Sequence, residues 1–574
     1  MKSAAEANRH LLCLNAKDML KSYIPVLIWL PQYNYGSFFQ DLLAGFTVGL
    51  TEIPQGIAYA IVAGLPSHYG LYSGFMGCFI YFILGSAKDI NIGPTAIMAL
   101  MIQPHVGTMG PAGAVLITFL SGLIIFICGL FQLGFIVNFF SYPIIAGFTT
   151  AAALNIASSQ IKSLFGIAGK SDSFLAAWVA LFKHIGEARL WDTLLGCFTI
   201  IFLVIAKEIR RYGTLKRRPE WTSRRNTIGI CIYLFSLASN AIAVIIASAM
   251  AYCFAQQGYQ PFKLTGNVDG GLPNFTLPSF STTYNGTYYS FTDMMENYGA
   301  LVIFCPLIAI LEHIAIAKAF SKGKTLNASQ ELIALGFSNI MSSFVQSMPV
   351  TGSFTRTAIN NASGARTPAC GIITGAMVLL ALGFLTSTFQ YIPKASLAGV
   401  IVVAMYYLCN FQAFMMMWKS KKMDLVPLTA TLFFCLLINL EYGILIGIAI
   451  NMTFVLYASA RPKLDLEEHL PNVYMIKPKT GLYYTAAEYF REFILQNCLT
   501  EKSTVVIDGR YIGNIDSTVA KSLSTLNEEL KLRDQKLLFW NFKDSVKDTC
   551  IGVNGTLSSI LVDGELQEVL EKTE

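Results

Sequence analysis

The stretch from Thr351 to Ala358 has the residue types best suited to binding chemistry. It combines a glycine, hydroxyl side chains and Arg356 within a region of otherwise apolar segments, and Pro349 precedes it. An arginine at membrane depth is costly, so it is usually paired, facing water or functional. The pattern predicts the N-terminus of a short, broken helix, whose free N–H groups and positive dipole end would attract an anion. The alternative is that Arg356 snorkels to a lipid headgroup.

The composition places this arginine in a polytopic membrane protein. The 574 residues are 54% hydrophobic and 13% charged, with a mean hydropathy of +0.52. A soluble globular protein carries roughly twice that charged fraction. The 12 cysteines are scattered and the 6 histidines are dispersed, which predicts neither a metal site nor a cofactor. Residues 1–40 are expected to form a cytoplasmic N-terminal region rather than a cleaved signal peptide.

The region 41–460 is predicted to be a transmembrane domain of about fourteen segments. Several of these segments are too short or too polar to cross a bilayer alone. In order they cover residues 41–63, 68–86, 94–106, 113–135, 138–157, 191–208, 228–255, 298–319, 329–345, 353–362, 367–388, 393–409, 424–440 and 442–459.

The third and tenth segments are both short, and both open with helix-breaking residues. These openings are Asn91–Thr95 and Gly352–Thr355. The two segments are seven apart, so they occupy matching places in two halves of seven segments each. Because each half has an odd number of segments, the second half crosses the membrane in the opposite orientation to the first. Paired broken helices at such places mark the midplane binding site of many transporters. The pattern therefore predicts 7+7 inverted repeats with an anion held between two half-helix N-termini, and it weakens the headgroup alternative.

Basic loops fix the predicted orientation, because cytoplasmic loops are enriched in lysine and arginine. Three such loops fall on one side, so both chain termini are predicted to be cytoplasmic. The loop 256–297 then faces outward, and its sequons predict glycosylation at Asn274 and Asn285. The basic residues concerned are Lys207, Arg210, Arg211, Lys216, Arg217, Arg218, Arg224, Arg225, Lys318, Lys322, Lys324, Lys419, Lys421 and Lys422.

Residues 461–574 have a different composition and are predicted to form a small cytoplasmic α/β domain. Thr504–Asp508 and Lys536–Trp540 have strand patterns, and Ser517–Leu530 has a helical pattern. Asp516 and Ser517 suit a helix N-cap. Regulatory phosphorylation of Ser517 is the alternative interpretation of the same pair.

Several motifs, in order, make the chain similar to the SulP sulfate permeases and solute-carrier anion exchangers. The similarity runs from about residue 30 to the C-terminus, and Ile515–Thr518 resembles the core of a STAS domain. Three further blocks, at 141–143, 258–262 and 315–320, are most similar to the sodium-independent sulfate anion transporter branch. The motifs of the transmembrane part are Pro54–Ala60, Ala63–Pro66, Tyr69–Ser73, Gly93–Ala96, Gly271–Pro273, Gln330–Leu332 and Thr351–Ser353 with Arg356.

This resemblance implies a uracil-permease-like fold with a C-terminal STAS domain. Segments 1–4 and 8–11 would form a core unit that carries the anion, and segments 5–7 and 12–14 a gate unit. It also implies a homodimer with STAS contacts and elevator-type exchange of sulfate, chloride, bicarbonate or oxalate. We expect the plasma membrane as the location, with the lysosomal membrane as the alternative.

The resemblance also implies which residues hold the anion. Gln55 and Tyr59 are four apart and share one helix face, although Tyr59 could instead be an ordinary packing aromatic. Backbone N–H groups at both half-helix termini would complete the site. The full set of implied anion-binding residues is Gln55, Tyr59, Thr95, Ala96, Ser353, Phe354, Thr355 and Arg356.

Two carboxylates lie within the predicted spans. Glu312 matches a glutamate that the family associates with proton coupling, and a proton carried with a dianion would reduce the charge moved. His313 is its neighbour in sequence but would point to another helix face. Glu52 precedes Gln55 by three residues, so it is either a second proton site or a structural partner for a basic residue at the cytoplasmic edge.

The favoured interpretation is therefore a sodium-independent secondary anion transporter, not an enzyme. An uncoupled chloride channel on the same scaffold is the main alternative, although a channel has no need of Glu312. A non-transporting scaffold or voltage-driven motor also remains open. A nucleobase permease fits less well, because Arg356 suits an anion better than a neutral ring.

Overall fold

The structure is a computed structural model in which two compact units divide the chain, Met1–Gly447 and Ile448–Glu574. The predicted N-terminal region before residue 23, most of the basic loop at 210–225, and Lys322 and Lys324 lie outside the described residues. The structure describes residues 23–135, 140–167, 174–215, 235–236, 238–266, 270–321, 326–438, 440–479 and 481–564.

The chain is helical as far as residue 460. The helices are α1 (Val26–Trp29), α2 (Tyr35–Ala63), α3 (Ser67–Tyr72), α4 (Met76–Leu84), α5 (Ala96–Leu130), α6 (Tyr142–Leu164), α7 (Phe174–His184), α8 (Leu190–Leu215), α9 (Ser239–Gln256), α10 (Phe291–Tyr298), α11 (Leu301–Phe320), α12 (Ala328–Ser343), α13 (Phe354–Ser363), α14 (Cys370–Leu380), α15 (Thr386–Phe389), α16 (Lys394–Leu408), α17 (Phe411–Ser420), α18 (Leu425–Leu437) and α19 (Leu440–Ala460). Short strands in the same region are β1 (Ile92–Pro94), β2 (Thr282–Tyr284), β3 (Thr287–Tyr289) and β4 (Val350–Gly352).

Within the described parts of the chain, nine helices are long and apolar enough to cross a membrane. The predicted polytopic helical fold is confirmed, whereas the count of fourteen crossings is not. Short helices such as α13, with 10 residues, span only about 15 Å of a hydrocarbon core that is about 30 Å thick. They can therefore serve only as half-helices or as packed interior segments.

The third and fourth predicted segments both lie largely within α5, which consists of two helices that meet at a kink. The break between them is confined to Gly110, with φ 71° and ψ −166°. Glycine tolerates this conformation because it has no Cβ, and Pro111 follows directly. The break therefore falls within the interval 107–112 that separates the two predicted segments.

The second predicted segment, 68–86, divides into α3 and α4. Ser73 lies at the interruption, where its hydroxyl binds the carbonyl of Tyr69 at 2.8 Å and accepts a bond from the Met348 N–H at 3.0 Å. The interruption thus joins the first half of the chain to the strand region that precedes the tenth segment.

Strands β1 and β4 pair antiparallel, with Gly93 opposite Thr351. Helix α5 begins two residues after β1, and α13 begins two residues after β4. The Ser353 N–H also bonds to the Asn91 carbonyl at 3.1 Å. This two-stranded pairing brings the openings of the third and tenth predicted segments together, although they are about 260 residues apart in the chain.

Helices of the first unit pack in two sets. In one set α5 packs on α12 and α11, and α2 packs on α13 and α14. In the other set α6 packs on α16 and α18, and α8 packs on α16. The half-helix pair belongs entirely to the first set.

The predicted glycosylation residues are both exposed. Asn285 lies at the turn between β2 and β3, with φ 51°, a conformation that asparagine tolerates better than most residues. Asn274 precedes that hairpin in an irregular, mostly exposed segment.

The second unit contains a five-stranded sheet in the order β5-β6-β7-β8-β9. Only the β5–β6 pair is antiparallel. The predicted strands at 504–508 and 536–540 and the predicted helix from Ser517 are confirmed, and Asp516 caps that helix by accepting from the Val519 N–H at 2.9 Å. The elements are β5 (Leu464–Leu470), β6 (Val473–Pro478), α20 (Ala487–Asn497), β7 (Thr504–Asp508), α21 (Ser517–Lys531), β8 (Lys536–Trp540), α22 (Asp544–Val553) and β9 (Leu561–Val562).

Alternate residues of the central strands face opposite sides of this sheet, as the strand period requires. Val505 and Ile507 pack with Leu526 and the other apolar residues of the three helices. Val506 packs on the opposite face with Leu538. The domain core is therefore the interface between the helices and one face of the sheet.

We expect the substitution Leu526→Ala to lower the free energy of unfolding of the C-terminal domain by about 2–5 kcal/mol, because it leaves a cavity in the core. Leu526 is fully buried. The matched control is Leu532→Ala, at a side chain that is 89% exposed, for which the change should be within about 0.5 kcal/mol. Urea denaturation of residues 461–574, followed by circular dichroism, measures both. Equal effects would contradict this description of the core.

Candidate anion-binding site

Two helix N-termini meet at the β1–β4 pair. Thr95 is the N-cap of α5, and its side chain accepts from the Met98 N–H at 3.5 Å. Ser353 is the N-cap of α13, and its hydroxyl lies 3.2 Å from that of Thr355. The first-turn N–H groups of a helix have no intrahelical acceptor, so each terminus can donate to an anion and presents the positive end of a helix dipole.

Arg356 reaches from the second half-helix to the base of the first. Its side chain is 0% exposed, which excludes the headgroup alternative for this conformation. Nε donates to Asn91 Oδ1 at 2.7 Å, and Nη1 donates to the Pro94 carbonyl at 2.9 Å. The guanidinium thereby ties α13 to the segment that leads into α5.

Glu52 of α2 forms an ion pair with Arg356, with 2.8 Å between Oε2 and Nε. The Glu52 side chain is only 2% exposed. Its partner is thus the site arginine itself and not a basic residue at the cytoplasmic edge. With both groups ionised, the pair has no net charge, so an anion would be held mainly by the helix termini and by neutral donors.

Gly93 provides the space in which this ion pair lies. A Cβ at Gly93 would collide with Glu52 Oε1 and would lie 2.9 Å from Arg356 Nη2. Gly74 flanks the same carboxylate, since its Cβ would lie 3.3 Å from Glu52 Oε1. The glycine of the Gly93–Pro94 motif is therefore a steric requirement of the ion pair.

Gln55 and Tyr59 lie on the same face of α2 as Glu52, at helical spacing. Gln55 is 1% exposed, and neither atom of its amide has a hydrogen-bond partner in the structure. Tyr59 is also buried and lies within electrostatic range of Arg356, Glu312 and Glu52. Buried amides are almost always bonded, so the Gln55 amide is a donor and acceptor available to a bound molecule.

The remaining predicted residues differ in their exposure. Ala96 and Ser353 are buried, whereas Thr355 is half-buried. The Phe354 side chain is 44% exposed and packs against Phe320, with 5.4 Å between ring centroids. Phe354 can therefore offer its backbone N–H to the site, while its ring belongs to the rim.

Glu312 of α11 lies at the first half-helix terminus. Its Oε2 accepts from the Thr95 hydroxyl at 3.3 Å, and its side chain is half-buried. His313 points away from it and bonds to Glu331. The two neighbours in sequence thus face different surroundings, as expected for adjacent residues on a helix.

Sequence reasoning overlooked three residues of this region as functional candidates. The sequence marks Asn91 as a helix-breaking residue, Gly93 as helix-breaking and part of the Gly93–Ala96 motif, and Glu331 as part of the Gln330–Leu332 motif, but it assigns no function to any of them. A glycine and an amide directly before a half-helix were the available signal for the first two. For Glu331 the sequence offers none, because its partners lie in other helices.

A solved structure with the same fold belongs to an anion transporter. The murine solute carrier 26 family member A9 anion transporter in the inward-facing state superposes with a TM-score of 0.84 at 20% identity, covering 97% of this chain and 95% of that chain. At that identity the comparison establishes the fold alone. The class defined by the fold is that of polytopic helical membrane proteins with a C-terminal α/β domain.

Family models identify both parts of the chain. The sulfate permease family matches residues 38–431, and the STAS domain matches residues 466–567. The sodium-independent sulfate anion transporter of Bos taurus is 40% identical over 563 residues, which is 97% of this chain and 91% of that protein. The chloroplastic sulfate transporter 4.1 of Arabidopsis thaliana is 28% identical over 91% of this chain and 78% of that protein. This chain belongs to the sulfate permease family, whose named relatives are transporters and not enzymes.

We expect Gly93→Ala to lower the free energy of unfolding by about 1–3 kcal/mol, the usual size of an overpacking penalty. The reason is that the added methyl group displaces the Glu52 carboxylate from Arg356. Melting temperature of the purified protein in detergent measures the effect. Gly107→Ala is the matched control, since a Cβ at Gly107 would have no atom within 4 Å.

Combining Gly93→Ala with Glu52→Ala tests the steric cause. Removing the carboxylate should make the added methyl group less harmful, so the two effects should not be additive. Strict additivity would contradict the steric role assigned to Gly93.

Proposed function

We propose that this protein is a sodium-independent secondary transporter of sulfate and related anions, including chloride, bicarbonate and oxalate. The observation that carries the proposal is the buried Gln55 amide, which has no hydrogen-bond partner. It lies beside the two half-helix termini, on the same face of α2 as Glu52, which forms the ion pair with Arg356. These donors suit a multivalent oxyanion. The name of the bovine relative supports sulfate as the substrate.

Charge balance supports proton coupling at Glu312. Because Glu52 already offsets Arg356, an ionised Glu312 would give the three side chains a net charge of −1 and would repel a dianion. A protonated Glu312 removes that repulsion and can still bond to Thr95. Glu52 is a second candidate proton site, since its protonation would release the positive charge of Arg356 toward the anion.

We further propose that transport proceeds by an elevator-type movement. The helices that carry the half-helix pair pack mainly on one another, and α6, α8, α16 and α18 form a separate packed set. The first set corresponds to the predicted core of segments 1–4 and 8–11, and the second to the predicted gate of segments 5–7 and 12–14. Exchange of one anion for another would use the same movement.

The surrounding assignments follow from the family and the loop charges. We propose a homodimer with STAS contacts, cytoplasmic termini, and glycosylation at the exposed residues Asn274 and Asn285. We favour the plasma membrane, with the lysosomal membrane as the alternative location. The predicted division into residues 1–40, 41–460 and 461–574 remains our proposal for the domain limits.

An uncoupled chloride channel is the alternative function on this scaffold. Chloride currents that follow the chloride equilibrium potential, without sulfate flux, would support it. Coupled sulfate uptake would favour the transporter instead.

Uptake of labelled sulfate into proteoliposomes should rise as the external pH falls and should need no sodium. Glu312→Gln should weaken this pH dependence, because the amide retains the bond to Thr95 but cannot titrate. Uptake measured at external pH 5.5–8 against a fixed internal pH tests both statements. Full pH-sensitive uptake by Glu312→Gln would remove the coupling role and leave the anion site standing.

We expect Arg356→Ala to abolish uptake. The change also leaves Glu52 buried without its partner, a loss that typically costs 3–5 kcal/mol, so stability must be measured alongside. The matched control is the double variant Glu52→Gln with Arg356→Gln, which removes both charges together. If that variant folds and transports sulfate at the normal rate, Arg356 has no role in anion binding.

A further inference from the structure

A second pair of buried titratable side chains lies outside the anion site. His313 of α11 and Glu331 of α12 are both fully buried, with 2.7 Å between His313 Nε2 and Glu331 Oε2. Neither belongs to the anion-binding contacts described above. Burial makes a carboxylate costly unless it is paired and hydrogen-bonded, and the other contacts of Glu331 supply those bonds.

Glu331 connects the buried histidine to the protein surface. The Tyr81 hydroxyl of α4 donates to Oε2 at 2.8 Å, and the Ser86 N–H donates to Oε1 at 3.0 Å. The Ser86 hydroxyl also bonds to Oε1, and Ser86 is exposed. The exposed residue Ser86 therefore lies directly against the buried carboxylate.

The other ring nitrogen of His313 lies beside β4, close to the residue that precedes the N-cap of α13. Nδ1 has no hydrogen-bond partner in the structure, and a Cβ at Gly352 would lie 3.1 Å from it. Gly352 is the last residue of β4 and directly precedes Ser353, the N-cap of α13. An unbonded buried nitrogen is uncommon, and this one can accept a proton.

The surroundings of His313 determine how the pair responds to pH. Glu331 of α12 and Tyr81 of α4 face the ring, with 5.8 Å between the Tyr81 and His313 ring centroids. Ser86 bonds to the same carboxylate, and β4 presents the backbone of Gly352. Glu331 is thus the charged group that contacts His313 in the described part of the structure.

We propose that the His313–Glu331 pair is a proton-binding site that regulates anion affinity, separate from Glu312 and filled from the surface through Ser86. This inference rests on the proposed function as an anion transporter. Without the added proton the pair carries one negative charge, with Nε2–H donating to the carboxylate. One proton from surface water makes the pair neutral, and that proton belongs to the coupled pair as a unit. Loss of this negative charge, on the side of β4 where His313 lies, favours binding of an anion at the half-helix termini that follow β1 and β4.

Sulfate binding by the purified full-length protein, measured between pH 5.5 and 8, tests this inference. Lower pH should tighten binding in the wild type, and His313→Gln should lose about fivefold or more of that change, the lower end of typical coupling between two sites. The glutamine can still donate to Glu331 but cannot bind the proton. Glu312→Gln should retain this component, and the double variant should lose both components.

Tyr81→Phe is the structural control. It removes one hydrogen bond from the same carboxylate and leaves both titratable groups in place, so the pH-dependent component should persist, with its midpoint moved to higher pH because the carboxylate loses one donor. A His313→Gln profile identical to the wild type overturns the inference. An equal loss of the pH-dependent component in Tyr81→Phe also overturns it, because the pair would then be a structural contact only.

A readout that needs no sulfate separates this inference from the proposed function. The proposed proton uptake requires no anion, so under this inference the melting temperature in detergent should have a pH-dependent component that His313→Gln lacks and Tyr81→Phe keeps. If that component is present but sulfate neither binds nor moves, the proposed substrate is wrong and the proton site stands. If it is absent, the proton site is wrong whatever the substrate.

Discussion

The ion pair between Arg356 and Glu52 is the interaction on which the anion site depends. It joins the two halves of the chain, and the Asn91 amide and the Pro94 carbonyl hold the same guanidinium. Two buried charges are tolerated because each is paired, and loss of either partner would leave an uncompensated charge. The pair also requires Gly93, because a side chain at that position would occupy the same space. The β1–β4 pairing, the start of both half-helices and the charge of the site are therefore one linked arrangement.

This arrangement changes how an anion would be recognised. A lone arginine would attract any anion by its full charge, whereas a neutralised arginine leaves recognition to helix termini and neutral donors such as the Gln55 amide. Small changes in the charge of nearby carboxylates then have large consequences. Glu312 lies at the front, bonded to Thr95, and Glu331 lies behind β4 through His313. Under the proposed function, proton uptake at either place favours anion binding.

Much of this could be predicted from the sequence. The cost of Arg356 in an apolar region, and the matching helix-breaking residues before it and before Thr95, were sufficient to predict two half-helices. The alternation of apolar residues predicted the strands β7 and β8 of the STAS domain. The break at Gly110 and the division of 68–86 were not predictable in detail, because a single residue or one side-chain bond decides them. Glu331 was not predictable as a functional candidate, since its partners lie in α4 and α11.

The sequence by itself determined the membrane class, the family, the C-terminal domain and the residue types available to an anion. These depend on composition, periodicity and local motifs, all of which act over a few turns of chain. Only the tertiary structure decided which charged side chains form pairs. Glu52 could have paired with a cytoplasmic lysine, yet it meets Arg356, about 300 residues away, because α2 packs against α13 and Gly93 leaves the space. Contacts between distant segments depend on shape and packing, and no local pattern contains that information.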